Sequence, residues 1–339
     1  MTIRRFIATA VATVTLAATG AALAAEVGWR TLTVPATEAG APTPVALWYP
    51  AAPGAAVRDT PMGPFSVRAA IGAPAAASLR GLILISHGTG GSELGHGRLA
   101  EALAARGYLV AALRHAGDNW QDTSLRTQRS AMYFDERPRQ ASRVIDALLA
   151  DASWSPRIAR DGRGPRVGAV GHSAGGYTVV ALAGGLPAPQ RIDAHCQAHR
   201  ADDPILCGLP RGMAAQAAQP PNPAPLADPR VRAVAALSPL GVVFDPESLR
   251  RMTTPVAVWV ATLDRFLVPR FHGEWLAQQL PATALRQVPN AWHFAFMDAP
   301  SLPIPSPDGL LAADPPGFDR GRFLEQLGQD LGDYFDATL

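Results

Sequence analysis

Ser173, Asp264 and His293, in that order along the chain, are the side chains whose types and surroundings could together do chemistry. Ser173 sits in Gly171-His172-Ser173-Ala174-Gly175, which fits G-x-S-x-G. A short apolar run, Val167–Val170, precedes the motif, and Tyr177–Ala183 can continue as a helix. Strand, tight turn and helix with a serine at the apex make a nucleophile elbow, which forces the serine into a strained backbone conformation. Gly171 and Gly175 let neighbouring backbone approach where a Cβ would clash. The helix N-terminus beneath the serine favours negative charge there.

A serine hydroxyl is a poor nucleophile at neutral pH and needs a base, which in turn needs an acid to orient it. After an elbow of this type the chain order is serine, acid, histidine. Asp264 follows the apolar run Val256–Val260 by three residues, at the carboxyl end of a strand, where catalytic groups gather. Asp245 is the rival acid, just beyond the preceding strand, and Asp298 comes too late in the order. His293 lies in Asn290-Ala291-Trp292-His293-Phe294-Ala295-Phe296, a polar residue set among aromatics after the last strand; His272 is its alternative. A tetrahedral intermediate also needs two N–H donors, an oxyanion hole. Ala174, after the nucleophile, supplies one, and Thr89 in His87-Gly88-Thr89-Gly90-Gly91 supplies the other. His87 is read as holding that loop rather than moving protons.

These groups need a scaffold of strands. Val27–Val34 and Val45–Tyr49 open the chain as an antiparallel pair. Pro50–Ser78, rich in Ala, Pro and Gly, reads as loop. Gly81–Ser86 is a continuous apolar run, as expected of a strand buried on both faces. Gly97–Ala105 reads as helix, Tyr108–Leu113 as strand, Arg114–Asp135 as a long loop and Arg139–Leu149 as helix. Leu186–Asp228, with many prolines and little periodicity, reads as an insertion after the nucleophile helix. Strands at Val231–Ser238, Pro255–Val260 and Ala284–Val288 and an amphipathic helix at Phe323–Phe335 close the pattern. The alternation predicts an α/β fold with a mostly parallel sheet and helices on both faces.

The 339 residues are 48% hydrophobic and 17% charged, with a net charge of +2, which suits a soluble globular chain of one large domain or two small ones. The basic residues are scattered, so no nucleic-acid partner is expected. Arg4-Arg5, the apolar stretch Phe6–Leu16 and Ala22-Leu23-Ala24 form a secretory leader over 1–24, with the mature domain at 25–339. Arg4-Arg5 also begins a twin-arginine signal, which the following residues match poorly. The stretch is too short for a stable membrane anchor. Periplasmic or secreted localisation follows, and there a disulfide between Cys196 and Cys207 is permitted. Closing so short a loop is worth about 2–3 kcal/mol. His195 and His199 have i, i+4 spacing, but no glutamate lies between them and the segment lacks helical periodicity, so no metal is expected. Trp120, Tyr133 and Phe134 lie in the loop after the Tyr108–Leu113 strand, Phe266, Trp292 and Phe296 lie near the candidate acid and base, and each is expected to pack in the core more than to line an acyl pocket.

Together, Ser86-His87-Gly88-Thr89-Gly90-Gly91, Gly171-His172-Ser173-Ala174-Gly175-Gly176, Asp264 with Val268-Pro269, and His293-Phe294 resemble the α/β-hydrolase superfamily. More narrowly they resemble exported bacterial proteins called predicted dienelactone hydrolases, near the platelet-activating-factor acetylhydrolase branch. Proven dienelactone hydrolases use a cysteine nucleophile, whereas the elbow here carries Ser173. The resemblance implies a serine esterase with no metal or other cofactor, acting on small-molecule or lipid-like esters with short or modified acyl groups. An exported peptidase or amidase on the same fold, and a non-catalytic binding protein on a hydrolase scaffold, are the alternatives.

Overall fold

The structure is a computed structural model and describes residues 25–38, 40–127, 130–209, 226–307 and 309–339. The expected leader, 1–24, and much of the expected insertion, 210–225, lie outside the described residues. The opening pair is β1 (Val27–Val34) and β2 (Thr43–Pro50), antiparallel as the sequence predicts. A hairpin follows, β3 (Arg58–Met62) and β4 (Phe65–Ile71), inside the stretch expected to be loop. β4 buries Val67 and Ala69 on one face and exposes Ser66 and Arg68 on the other. That two-residue alternation is the strand signal the Ala, Pro and Gly content obscures.

Next come β5 (Leu82–Ser86), α1 (Gly97–Ala105), β6 (Leu109–Leu113), α2 (Ser124–Thr127) and α3 (Ser130–Ala150). A short ladder of β7 (Arg160–Asp161) and β8 (Gly164–Pro165) leads to β9 (Val167–His172) and the nucleophile helix α4 (Ala174–Leu182). The insertion contributes α5 (Gln190–His199) and α6 (Pro204–Gly208). Then follow β10 (Val231–Leu237), α7 (Pro246–Arg250), β11 (Val256–Ala261), α8 (Gly273–Gln279), β12 (Thr283–Val288) and α9 (Arg320–Thr338). The main sheet has ten strands in the order β12-β11-β10-β9-β5-β6-β2-β1-β4-β3, parallel from β12 to β6.

Both faces of the parallel part are covered. Leu82 and Leu84 of β5 join one core cluster with residues of α3, α4 and α8, while Ile83 and Ile85 join a second with residues of α1 and α9. Because β5, β6, β9, β10 and β11 are buried on both sides, their residues are mostly apolar without alternation and are legible as continuous runs, whereas the edge strand β12 is largely exposed.

Two further segments depart from expectation. α3 begins well before Arg139 and carries Pro138 in its interior, so the end of the supposed loop Arg114–Asp135 is helical, as is the short α2 within it. His195 also lies on a helix, α5, despite the weak periodicity of the insertion. Cys196 and Cys207 form a disulfide that ties α5 to α6. Among the described residues no helix is long and apolar enough to cross a membrane.

Candidate active site

β9 ends at His172, and α4 begins at Ala174, leaving Ser173 alone on the turn. Its φ of 59° and ψ of −118° lie outside the regions that L-residues ordinarily occupy. The turn is held from three sides: Ser173 N–H donates to Leu237 O, and Ser173 O accepts from Tyr177 and Leu240. A Cβ at Gly171 would overlap the Gly175 carbonyl, and one at Gly175 would overlap that of Ser86. These two motif glycines are therefore required by the closeness of β5, β9 and α4. The Ser173 hydroxyl makes no hydrogen bond among the described residues. Catalytic contacts of this kind are often open until substrate arrives.

His293 opens a short 3₁₀ turn, His293–Phe296, beyond β12, and Asp264 follows β11. His293 Nδ1–H donates to Asp264 Oδ2 at 2.7 Å, and both side chains are buried. The other Asp264 oxygen accepts the backbone N–H groups of Phe266 and Leu267, which fixes the carboxylate. Phe266 stacks on the imidazole of His293 at 4.9 Å, and His172 packs against it at 4.8 Å. His172 Nε2–H donates to the His293 carbonyl at 2.9 Å. Burial holds His172 neutral, well below the usual histidine pKa, so this donor does not add charge beside His293.

The rival residues have other duties. Asp245 caps α7 by accepting Ser248 N–H at 2.8 Å. Asp298 accepts Arg98 N–H at the start of α1. His272 lies beside the insertion, where its Nε2 and that of His195 each lie 2.9 Å from Asp203 Oδ2. Two histidines and one carboxylate within 4.8 Å of one another form a donor set that a divalent metal can take. Gly241 N–H, however, points at His272 Nδ1, which puts the ring proton on Nε2, facing Asp203. A metal needs that nitrogen deprotonated. The bonding pattern is that of a carboxylate staple joining the insertion to the segment before α8. His199 is half-exposed beside Asp202.

Thr89 and Ala174, the expected oxyanion donors, directly follow Gly88 and Ser173 in the chain. A Cβ on Gly88 would stand 3.2 Å from Ser173 Cβ, so the glycine loop after β5 passes directly over the elbow. Ala174 is the first residue of α4, where a helix leaves N–H groups without internal partners. Thr89 N–H has no partner among the described residues. His87 Nδ1–H donates to Gly88 O at 2.6 Å, and His87 Nε2 accepts His115 N–H. Burial lowers the His87 pKa to about 3, so the ring is a neutral strut of the loop.

Behind this loop lies a buried polar group that the sequence pattern did not reveal: Asp118, Tyr133, Arg137, His115 and Gln140. Asp118 and His115 lie in the connection after β6, and the other three lie on α3. Of the aromatics named from sequence, Tyr133, Phe134 and Phe296 are buried in the core, whereas Trp120 is 65% exposed. Trp292 carries the guanidinium of Arg265 over its ring at 4.7 Å.

Residues 82–303, most of the chain, match the sequence profile of the alpha/beta hydrolase family. The protein belongs to the alpha/beta hydrolase family. Among solved structures it is similar to a ferulic acid esterase from Streptomyces cinnamoneus, with 21% identity and a TM-score of 0.60. That match covers 95% of this chain and 92% of the esterase. A dienelactone hydrolase from Anabaena variabilis matches at 16% identity with a TM-score of 0.49, covering 92% of this chain and 98% of that one. At such identities the likeness to the esterase is one of fold. No curated protein matches significantly. An alpha/beta hydrolase places its functional groups at the carboxyl ends of its parallel strands, which is where Ser173, Asp264 and His293 lie here.

Proposed function

We propose that this alpha/beta hydrolase is an exported carboxylic ester hydrolase working through Ser173, His293 and Asp264. The reading rests above all on the 2.7 Å bond between His293 and a buried, backbone-fixed Asp264, in a hydrolase whose elbow serine is held at positive φ. Ser173 Oγ attacks the ester carbonyl carbon while His293 Nε2 takes its proton. Asp264 keeps the imidazole in the Nδ1–H tautomer and stabilises its charged form. The oxyanion is met by the N–H groups of Ala174 and Thr89. His293 then protonates the leaving alcohol, and water, deprotonated by the same histidine, releases the acid and restores the serine. The fold similarity to an esterase, and the resemblance to exported hydrolases, favour an ester with a short or modified acyl group. Residues 1–24 and the Cys196–Cys207 disulfide support export.

The test is labelling with a fluorophosphonate probe, followed by location of the adduct by mass spectrometry. An adduct on Ser173, with hydrolysis of p-nitrophenyl esters that Ser173→Ala lowers by at least a thousandfold, is expected. Full ester hydrolysis by Ser173→Ala would sink the assignment. Anilides of the same acyl groups, run in parallel, separate esterase from amidase.

A further inference from the structure

The buried polar group behind the glycine loop binds two residues at the loop's tip, Thr89 and Gly90, the first of them the proposed oxyanion donor. Asp118 Oδ1 accepts Gly90 N–H at 3.0 Å. Asp118 Oδ2 accepts the Tyr133 hydroxyl at 2.8 Å. With its proton committed there, Tyr133 Oη accepts the Thr89 hydroxyl, also at 2.8 Å. Arg137, fully buried on α3, spans the same region: one NH group binds Asp118, and another binds the His87 carbonyl. Its Nε donates to Thr178 Oγ1 on α4 at 3.1 Å. The backbone of the loop is thereby gripped at residues 87 and 90, and its tip at the Thr89 side chain.

The charges also point one way. Asp118, the carboxylate of the group described above, is paired with both the buried Arg137 and the part-exposed Arg126. Its pKa stays below the ordinary value despite burial, chiefly because of Arg137. The neighbouring His87 and His115 are kept neutral by burial. Two guanidinium groups against one carboxylate leave a net positive charge beneath the loop. In a buried setting that field favours a developing oxyanion.

We propose that Tyr133 and Asp118 are positioning residues for the oxyanion donor, holding the Thr89 N–H where the tetrahedral intermediate needs it through the chain Thr89–Tyr133–Asp118. This rests on the esterase reading of Ser173. A purely architectural role for the same bonds would fasten α3 to the core without touching the chemical step. The two differ in what they move.

The experiment uses Tyr133→Phe, and Thr89→Val, which keeps the backbone N–H and changes an exposed residue. Acylation is followed by the p-nitrophenyl acetate burst, together with KM, Tm and inhibition by an alkyl trifluoromethyl ketone, whose hemiketal oxygen occupies the oxyanion position. Losing a donor outright costs about 100- to 1000-fold, so displacing one through its loop is expected to cost about tenfold. That loss should appear in the acylation rate and in trifluoromethyl ketone affinity, with KM near parental. The double variant should be no worse than the worse single one, because both cut the same chain. Parental acylation in Thr89→Val and Tyr133→Phe, a loss confined to KM, or multiplicative losses in the double variant would overturn the proposal. If Tyr133→Phe is poorly folded, Thr89→Val alone decides it. Failure of the parent protein to label at Ser173 is a separate outcome that removes the esterase reading itself.

Discussion

Ser173 occupies a backbone conformation that suits glycine, and the close packing of β5, β9 and α4 holds a serine in it. A non-glycine residue held in such a region costs about 1–3 kcal/mol. Alanine keeps that strain and loses only the nucleophile. Glycine relieves it, at an entropic cost in the unfolded chain of about 0.5–1 kcal/mol. Ser173→Gly should therefore be inactive and yet about 1 kcal/mol more stable than Ser173→Ala, read from urea unfolding midpoints. A glycine variant less stable than the alanine one by its full entropic cost, about 0.5–1 kcal/mol, would show that the elbow is not strained. The contrast isolates the backbone from the chemistry, because both variants lack Oγ.

At the scale of elements, the central parallel strands and the elbow were legible because their signals are local: continuous apolar runs, of which β5, β9 and β11 lead directly into the loops that carry Thr89, Ser173 and Asp264. α3 was not legible at its start, and the reason is Pro138. Proline removes an N–H and clashes with the carbonyl four residues earlier, so it reads as a helix boundary. Here that carbonyl, Phe134 O, accepts the Tyr177 hydroxyl of α4 at 2.8 Å. A tertiary contact compensates for a local defect, and no window along the chain shows it. Arg137 and the hydrogen-bonding role of Tyr133, both on α3, were missed for this reason, although Tyr133, Arg137, Gln140, Ala141 and Val144 follow helical spacing once the proline is read through. The hairpin β3–β4 was hidden differently, by composition overriding an alternation that was present. Tyr177→Phe should cost about 1–3 kcal/mol, because it leaves a buried carbonyl unpaired. In a Pro138→Ala background the new N–H can reach Phe134 O, and the same substitution should cost clearly less. Equal costs in the two backgrounds, measured by denaturant unfolding as a double-mutant cycle, would refute the compensation.

Across the whole molecule, burial has set two groups of titrating side chains against each other. His87, His96, His115 and His172 are buried and neutral; burial brings His87 to about 3 and His96 to about 4, and lowers His115 and His172 well below the usual value. In the unfolded chain each would take a proton near pH 6.5, so stability from these four is present above that pH and is lost on acidification. Asp298 and Glu101 act in the other direction. Burial raises Asp298 to about 6 and Glu101 to about 7, Glu101 being pushed further by the neighbouring Asp298 charge. The folded state holds these two protons while the unfolded state has released them, so this contribution is present in acid and is lost as the pH rises through 6 to 7. Between pH 5 and 6 the four histidines outweigh the two carboxyls by about two protons, and stability should rise by roughly 2–3 kcal/mol per pH unit. Asp298→Asn removes one opposing group while keeping an oxygen that can accept Arg98 N–H at the start of α1. The variant should show a steeper rise between pH 5 and 6, and at pH 8 it should be more stable than the parent, because no charge is then buried at residue 298. Urea unfolding at pH 5, 6 and 8 measures both effects. A variant less stable than the parent at pH 8 would mean that the Asp298 carboxylate, through its place at the start of α1, is worth more to the fold than its desolvation costs.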